Sequence, residues 1–270
     1  MSENTNKING RLTDETFWNL QWKKRAGQKI SYRLLHNKDH GKNGRFLKIL
    51  EREIPLSDLK SLKVVELGGA ASQYLVDLGK YAGLKVTALD YSKVGIDQTI
   101  ELFELNGVNG DVICADMFNW KDGHDSYDLV THWGVLEHFS DPTDVIEASA
   151  KFLKAGGYTA FSMPNLAAYG ARWWRKFSPK NFAAHIYHQD SKILACLEKS
   201  GFEVLNYFHF GPPLIRMAPL ERRGISSLLI NTAHAIVCIW GTISPKIYMR
   251  GTSKISSQRM FIARKLKQET

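Results

Sequence analysis

The sequence predicts an α/β fold in which a mostly parallel sheet is covered by helices on both faces. Three observations predict it. Short apolar, β-branched runs alternate with segments of helical periodicity from Lys63 to Met163, the pattern of right-handed crossovers between parallel strands. Several of the runs end in an acid or a glycine turn, as strands do where they feed a helix. At 270 residues, 44% hydrophobic and 23% charged, the chain has enough apolar content for one full α/β core with decorations.

In chain order, Thr13 to Arg25 is polar, with Phe17, Trp18 and Trp22 at helical spacing, and a second helical stretch, Phe46 to Ile54, stops before Pro55. These helices are expected to pack on the sheet edge. Lys63 to Leu67 is the first strand, and Gly68 and Gly69 turn the chain into a helix marked by Tyr74, Leu75, Leu78 and Ala82, with Gly83 at its end. Lys85 to Leu89, closed by Asp90, is the second strand. Ser92 then caps a helix with Ile96, Ile100 and Phe103 inward, and Gly107 closes it. Asp111 to Ala115, ending in Asp116, and Tyr127 to Thr131 are the third and fourth strands. Asp141 and Pro142 open the next helix, which Gly156 and Gly157 end, and Tyr158 to Met163 is the fifth strand. Residues 166–187 read as an insertion carrying Trp173, Trp174, Phe177 and Phe182 beside Arg172, Arg175, Lys176 and Lys180. A helix over Asp190 to Ser200, a sixth strand over Phe202 to Phe210, a second insertion over 211–257 and a last strand over Gln258 to Arg264 complete the chain. The expected organisation is an N-terminal helical cap over 1–57, one domain over 58–265 and a tail over 266–270.

Composition bounds the function. The hydrophobic fraction argues against wholesale disorder, and Cys114, Cys196 and Cys238 have no metal-ligand or thiol-redox spacing, so they read as reduced, mostly buried thiols of a cytosolic protein. The polar start MSENTNKINGRLTDE has no apolar core of an export signal. The net charge is +9, and residues 200–270 hold ten Lys or Arg against three Glu, which is either a solvated basic surface or a preference for an anionic partner: phospholipid, phosphorylated substrate or RNA.

Strand, glycine turn, helix, strand and acid is the wiring of a nucleotide-binding unit, in which bare backbone approaches the ligand and the second acid accepts from ribose hydroxyls. Glu66, Gly68, Ala70 and Ser72 occupy the slots of E-x-G-x-G-x-G. This resembles motif I of the class I S-adenosylmethionine-dependent methyltransferases, with Ala70 and Ser72 replacing two glycines. In order, VVELGGAAS, ALDYS, CADM, YDLVTHWGVLEHFSDP, FLKAGGYTAFSMPN and KSGFEV extend the resemblance from Lys63 to Lys265, and more narrowly the stretch resembles the bacterial group that includes ubiquinone-biosynthesis O-methyltransferases and the Methyltransf-11/23-type enzymes. It implies a Rossmann-like seven-stranded sheet with the last strand antiparallel.

The resemblance also implies roles. Gly68, Gly69 and Ala70 would line the methionine part of S-adenosyl-L-methionine, with Glu66 holding the turn or reaching the amino group through water. Asp90 would accept both ribose hydroxyls, Tyr91 would lie against adenine, Asp116 would accept from the adenine amino group with Met117 on the ring face, and His132 and Trp133 would border the methyl. Some related enzymes carry E-x-x-E-H after the fourth strand, thought to hold a divalent metal; here Gly134, Glu137 and His138 stand there, the first acid is missing, and no metal is expected. Methyl transfer to a hydroxyl needs an in-line acceptor and a group that takes its proton. In related enzymes a histidine before the helix that follows the first insertion faces the substrate, which makes His185 the first candidate and His132 the second.

Residues 224–245 contain no charge. Ile225, Leu228, Leu229, Thr232, Ile236, Ile239 and Ile243 form one helical stripe, and Ser227, Asn231, His234, Cys238 and Gly241 form another. The polar stripe makes a poor transmembrane span, leaving an interfacial helix, a wall for a lipid-like substrate, or burial against the domain or a partner subunit. The expected function is S-adenosylmethionine-dependent methyl transfer to a small-molecule or lipid- or glycan-linked acceptor, with oxygen as the expected site, in a cytoplasmic protein able to touch the inner membrane face through 224–245. The alternatives are an RNA methyltransferase, favoured only by the charge, and a non-catalytic cofactor-binding scaffold. There is no RNA-binding module and no N/D-P-P-Y run for exocyclic amines.

Overall fold

A computed structural model describes residues 10–25, 42–54, 61–215, 220–221, 224–243 and 251–267. Arg222, Arg223, Lys246 and Arg250, the side chain of Cys238 and the last three residues of the expected tail lie outside the described residues. The elements are α1 (Glu15–Arg25), α2 (Lys42–Glu53), β1 (Lys63–Leu67), α3 (Gln73–Tyr81), β2 (Lys85–Asp90), α4 (Lys93–Asn106), β3 (Asp111–Cys114), β4 (Tyr127–Trp133), α5 (Thr143–Phe152), β5 (Leu153–Pro164), α6 (Ala171–Phe177), α7 (Pro179–Ala183), α8 (Asp190–Lys199), β6 (Phe202–Pro213), α9 (Ile225–Ile243) and β7 (Ser256–Lys265).

The sheet runs β3-β2-β1-β4-β5-β7-β6. β1 through β5 pair in parallel, and β7 is antiparallel to both β5 and β6, so the expected seven-stranded sheet with an inverted last strand is the one observed. β1 is an interior strand, between β2 and β4, with only Lys63 exposed, which is why it reads as a continuous apolar run and not as an alternating one. One core face gathers Val65, Val130, Phe161 and Phe261 under α5 and α8; the other gathers Val64, Leu129, Ala160 and Ile262 with Leu75 and Leu78 of α3 and Leu50 of α2.

Local chemistry sets most helix ends. The Ser72 hydroxyl accepts from Leu75 N to cap α3, and that of Ser92 accepts from Gly95 N to cap α4. Gly107 closes α4 at φ +64°, a left-handed turn that an added Cβ would strain. The reading differs from the structure at α5, which stops at Phe152 and not at Gly156–Gly157. β5 starts at once because Leu153 pairs with Tyr127 before a bulge lets Tyr158 resume the register opposite Leu129.

The N-terminal helix is not at the outer edge of the sheet. α1 packs on α4 over the carboxyl ends of the strands: Asn19 Oδ1 accepts from Ser92 Oγ at 2.7 Å and from Val94 N at 3.3 Å, and Gln98 Nε2 donates to Trp22 O at 2.9 Å. A Cβ on Gly95 would meet Trp22 Nε1 at 2.8 Å, so a residue without a side chain lets the indole sit against the start of α4. The sequence pattern could not choose this site, because aromatics at helical spacing say that a helix has a packing face and not what that face meets.

Candidate active site

Three strand tips lie side by side, since Leu67 of β1 is opposite Leu89 of β2 and Asp90 of β2 is opposite Cys114 of β3. The turn after β1 is built on its own backbone and on two acids. Gly68 N and Gly69 N both donate to Leu89 O, at 2.9 and 3.1 Å. Gly68 has φ +71°, and a Cβ on Gly69 would sit 2.8 Å from Glu66 O, so both glycines are needed for the turn to close. In this turn a non-glycine residue, Ala71, is left-handed at φ +46°, with its N–H on Thr99 Oγ1 at 2.7 Å. The carboxylate of Glu66 points into the protein, where Oε2 accepts from Ser72 Oγ at 2.8 Å and from Trp133 Nε1 at 3.1 Å. Ser72 thus links the strand to the cap of α3. Burial pushes Glu66 up to about 8, and of the two roles open to it the observed contacts are those of holding the turn.

At the tip of β2, Asp90 Oδ1 accepts from Ser92 N at 2.7 Å and Oδ2 from Ala70 N at 3.3 Å. Burial raises Asp90 to about 6 against these two bonds. A desolvated carboxyl with lone pairs to spare is a site for further hydroxyl donors, so the residues present fit a ribose. Tyr91 is half-buried beside it, Asp116 Oδ1 accepts from Phe118 N at 3.0 Å, and Met117 is buried in the core.

A residue the sequence reading missed stands among them. Arg11 ion-pairs with Asp116, and its guanidinium lies 4.9 Å from the Tyr91 ring and 5.0 Å from the Phe118 ring. It is held there by a strap: Arg11 bridges Phe139 in antiparallel fashion, Leu12 N donates to His138 O at 2.8 Å and Ser140 N to Gly10 O at 2.9 Å. Arg11 carried no signal in the sequence because an isolated arginine in a polar segment is the ordinary surface case.

Past β4 the two predicted histidines separate. His132 is fully buried and stacks on Phe161 at 4.4 Å; neither ring nitrogen has a partner, and burial pushes it down to about 3. This corrects the expectation that His132 borders the transferred methyl: it faces the apolar interior. Trp133, one residue on, points to the opposite face, bonded to Glu66 and 5.1 Å from the Tyr74 ring. His185 lies at the end of α7 with its ring 4.6 Å from His138 and 4.7 Å from Trp174. Its Nδ1 donates to Asn181 O at 2.8 Å and that of His138 to Ala184 O at 2.7 Å. A carbonyl can only accept, so both rings keep a bare Nε2. Burial lowers His185 to about 4 and His138 to about 3, leaving both neutral near pH 7.

Glu137 completes this cluster. Its Oε2 is buried without a partner, and burial pushes the carboxyl up to about 8. One ligand atom from each of Glu137, His138 and His185 falls within 4.8 Å of the others. These are the side chains that could hold a cation among the described residues. Sequence spacing shows only the Glu-His pair, because His185 is brought in by the first insertion. Behind them Arg259, 1% exposed, bonds His188 O at 2.8 Å and ion-pairs with Asp190, which also accepts from Tyr207 Oη.

Comparison with known proteins agrees with this geometry. A family described as a methyltransferase domain matches residues 30–207. The chain is 30% identical over 174 residues to a ubiquinone biosynthesis O-methyltransferase of Saccharophagus degradans, covering 56% of this chain and 73% of that one. It is 25% identical over 156 residues to 2-methyl-6-phytyl-1,4-hydroquinone methyltransferase 1 of Oryza sativa, covering 57% and 45%. Among solved structures, phosphoethanolamine N-methyltransferase 2 of Haemonchus contortus, in complex with S-adenosylhomocysteine, superposes with a TM-score of 0.59 at 14% identity over 84% of this chain and 53% of that one. Magnesium protoporphyrin IX methyltransferase of Synechocystis, with the same ligand bound, gives 0.55 at 14% identity over 93% and 94%. The shared sheet, the glycine turn with its two buried acids and the match over 30–207 lead to one assignment: the chain belongs to the methyltransferase-domain family and is an S-adenosylmethionine-dependent methyltransferase.

Proposed function

We propose that this enzyme methylates an oxygen of a small or lipid-linked acceptor held between the tip of β4 and the first insertion, with residues 1–57 serving as a cap over the domain at 58–265. The observation that carries the reading is the His185 imidazole, whose Nδ1–H is committed to Asn181 O, which leaves Nε2 to face an acceptor hydroxyl. The relative named as a ubiquinone biosynthesis O-methyltransferase supports oxygen as the site.

Bound S-adenosylmethionine would supply a methyl group on a sulfonium that is already a good leaving group. The chain's own residues then have three tasks. Asp90 accepts from the ribose hydroxyls, using lone pairs its two backbone donors leave open. Tyr91, Asp116 and Met117 take the adenine, while Gly68, Gly69 and Ala70 let the backbone come close to the methionine part, and Glu66, tied to Ser72 and Trp133, keeps that turn in shape. His185 accepts a hydrogen bond from the acceptor hydroxyl and takes its proton as the oxygen gains the methyl; the burial of His132 leaves this role to His185. No metal is assigned a part in the reaction.

The test is transfer of labelled methyl to a panel holding a prenylated catechol, a prenylated hydroquinone, a free catechol and total RNA. Labelling of a catechol or hydroquinone that His185→Ala reduces by about 100-fold or more, with S-adenosylhomocysteine affinity retained, is the expected result. Label that appears in RNA and disappears on nuclease treatment would overturn it.

A further inference from the structure

The helix α9 is turned inside out. At about 100° per residue, Ile225, Leu228, Leu229, Ile236, Ile239 and Trp240 fall within an arc of about 120°, and all six are between 51% and 81% exposed. The side toward the domain carries Ser227, which is buried, with Ile230, His234 and Val237 half-buried. A helix that packs to complete a core turns its wider apolar stripe inward. Here that stripe faces out, so its apolar character does not serve the fold of the domain.

Along the chain, the charge from Arg222 to Lys254 is of one sign. No Asp or Glu occurs between Glu221 and Glu269, while Arg222, Arg223, Lys246, Arg250 and Lys254 flank the helix in the chain. We infer that α9 is a docking surface for an anionic phospholipid membrane, lying in the plane of the interface with its six apolar residues among the acyl chains. An apolar arc of this width on an uncharged helix with basic flanks suits the boundary between headgroups and acyl chains, and Trp240 suits the same depth. Spanning is the wrong geometry: among the described residues no helix is long and apolar enough to cross a membrane. A second copy of the chain is a poor occupant, because each copy carries a net charge of +9 and the same basic run along the chain around this helix, whereas an anionic membrane complements both.

The root of α9 is tied to the proposed acceptor side. Glu221, just before it, accepts from Asn181 N at 2.9 Å and from Lys180 N at 3.3 Å, and the carbonyl of Asn181 is the one that accepts from His185. Docking would therefore act on the same short helix that orients the His185 ring.

The experiment is flotation of the full chain with vesicles of phosphatidylcholine alone and with vesicles of about equal parts phosphatidylcholine and phosphatidylglycerol. The wild type should float with the anionic vesicles only, and less so at about 0.5 M salt. The double variant Leu228→Asp, Ile236→Asp should lose about tenfold or more in binding. Both residues are exposed and outside the cofactor site, so its melting temperature and S-adenosylhomocysteine affinity should match the wild type, which keeps this test separate from the choice of acceptor. Failure of the wild type to float with anionic vesicles, or flotation of the double variant as good as the wild type's, overturns the inference. So does a wild-type dimer in light scattering that the double variant converts to a monomer, which would give the face to a second copy.

Discussion

Arg11 lies over the Tyr91 ring and ion-pairs with Asp116, the two side chains proposed above to take the adenine. On that proposal cofactor binding displaces the guanidinium, and Arg11→Ala should tighten it. The side chains of the ion pair are 14% and 20% exposed, which puts its worth above the ~0.5 kcal/mol of a solvated pair and below that of a buried one. Each cation–π contact, at 4.9 and 5.0 Å, contributes about 0.5 kcal/mol or somewhat more. The total is on the order of 2 kcal/mol, less what water returns to the released cation, so the dissociation constant for S-adenosylhomocysteine should fall by about 10- to 30-fold. The strap itself should survive, since Leu12 N to His138 O and Ser140 N to Gly10 O are backbone bonds. Calorimetric titration of wild type, Arg11→Ala and Arg11→Lys reads the effect, with the lysine variant intermediate because it keeps the charge and loses the planar fork. Affinity that is unchanged or weaker in Arg11→Ala would refute the reasoning and make Arg11 a partner of the bound nucleoside.

Asp90→Ala should cost about 100-fold or more in S-adenosylhomocysteine affinity by calorimetry, the worth of hydrogen bonds to a charged group at about 3 kcal/mol; retained affinity would remove the ribose role. His132 is excluded from water with a folded-state pKa of about 3 against an ordinary 6.5. Between those values the unfolded chain binds the proton and the folded chain does not, so stability is lost as pH falls, by about 2 kcal/mol for this one group at pH 5. His132→Phe, stacked on Phe161, should lose less stability than wild type between pH 7 and 5 in urea unfolding, and equal slopes would mean that the ring reaches water. Ala71→Gly relieves a left-handed residue at φ +46° and should raise stability by about 1 kcal/mol, seen as a few degrees in melting temperature; a drop would show that chain entropy outweighs the strain there.

Much of this was legible without coordinates because it is local. The strand tips, Ser92 as a cap, Gly107 as a left-handed stop and the acids closing β1, β2 and β3 each follow from a few neighbouring residues, and the parallel order follows from helices between strands. The cysteines show the limit of the same reading. Cys196 is buried as expected, whereas Cys114 is exposed, because β3 is an edge strand and composition does not say which strand ends at the edge. His132 was misplaced for a related reason. Alternation along β4 puts His132 and Trp133 on opposite faces, and only the neighbouring strands decide which face opens to the cleft.

By itself, then, the chain's order of apolar runs, turns and acids determined the five parallel strands, the position of the glycine turn and the three tips around it, since those depend on contacts close in sequence or on the periodicity of one element; the inverted last strand came from the family resemblance. Tertiary structure alone brought Arg11 to Asp116 across 105 positions, placed the His185 ring against His138, and turned the apolar stripe of α9 outward. Each of these joins residues with no shared period, and each is set by which surfaces remain after the core has filled. For α9 that is the whole difference: a helix has two faces in the sequence, and only packing chooses the one that meets solvent.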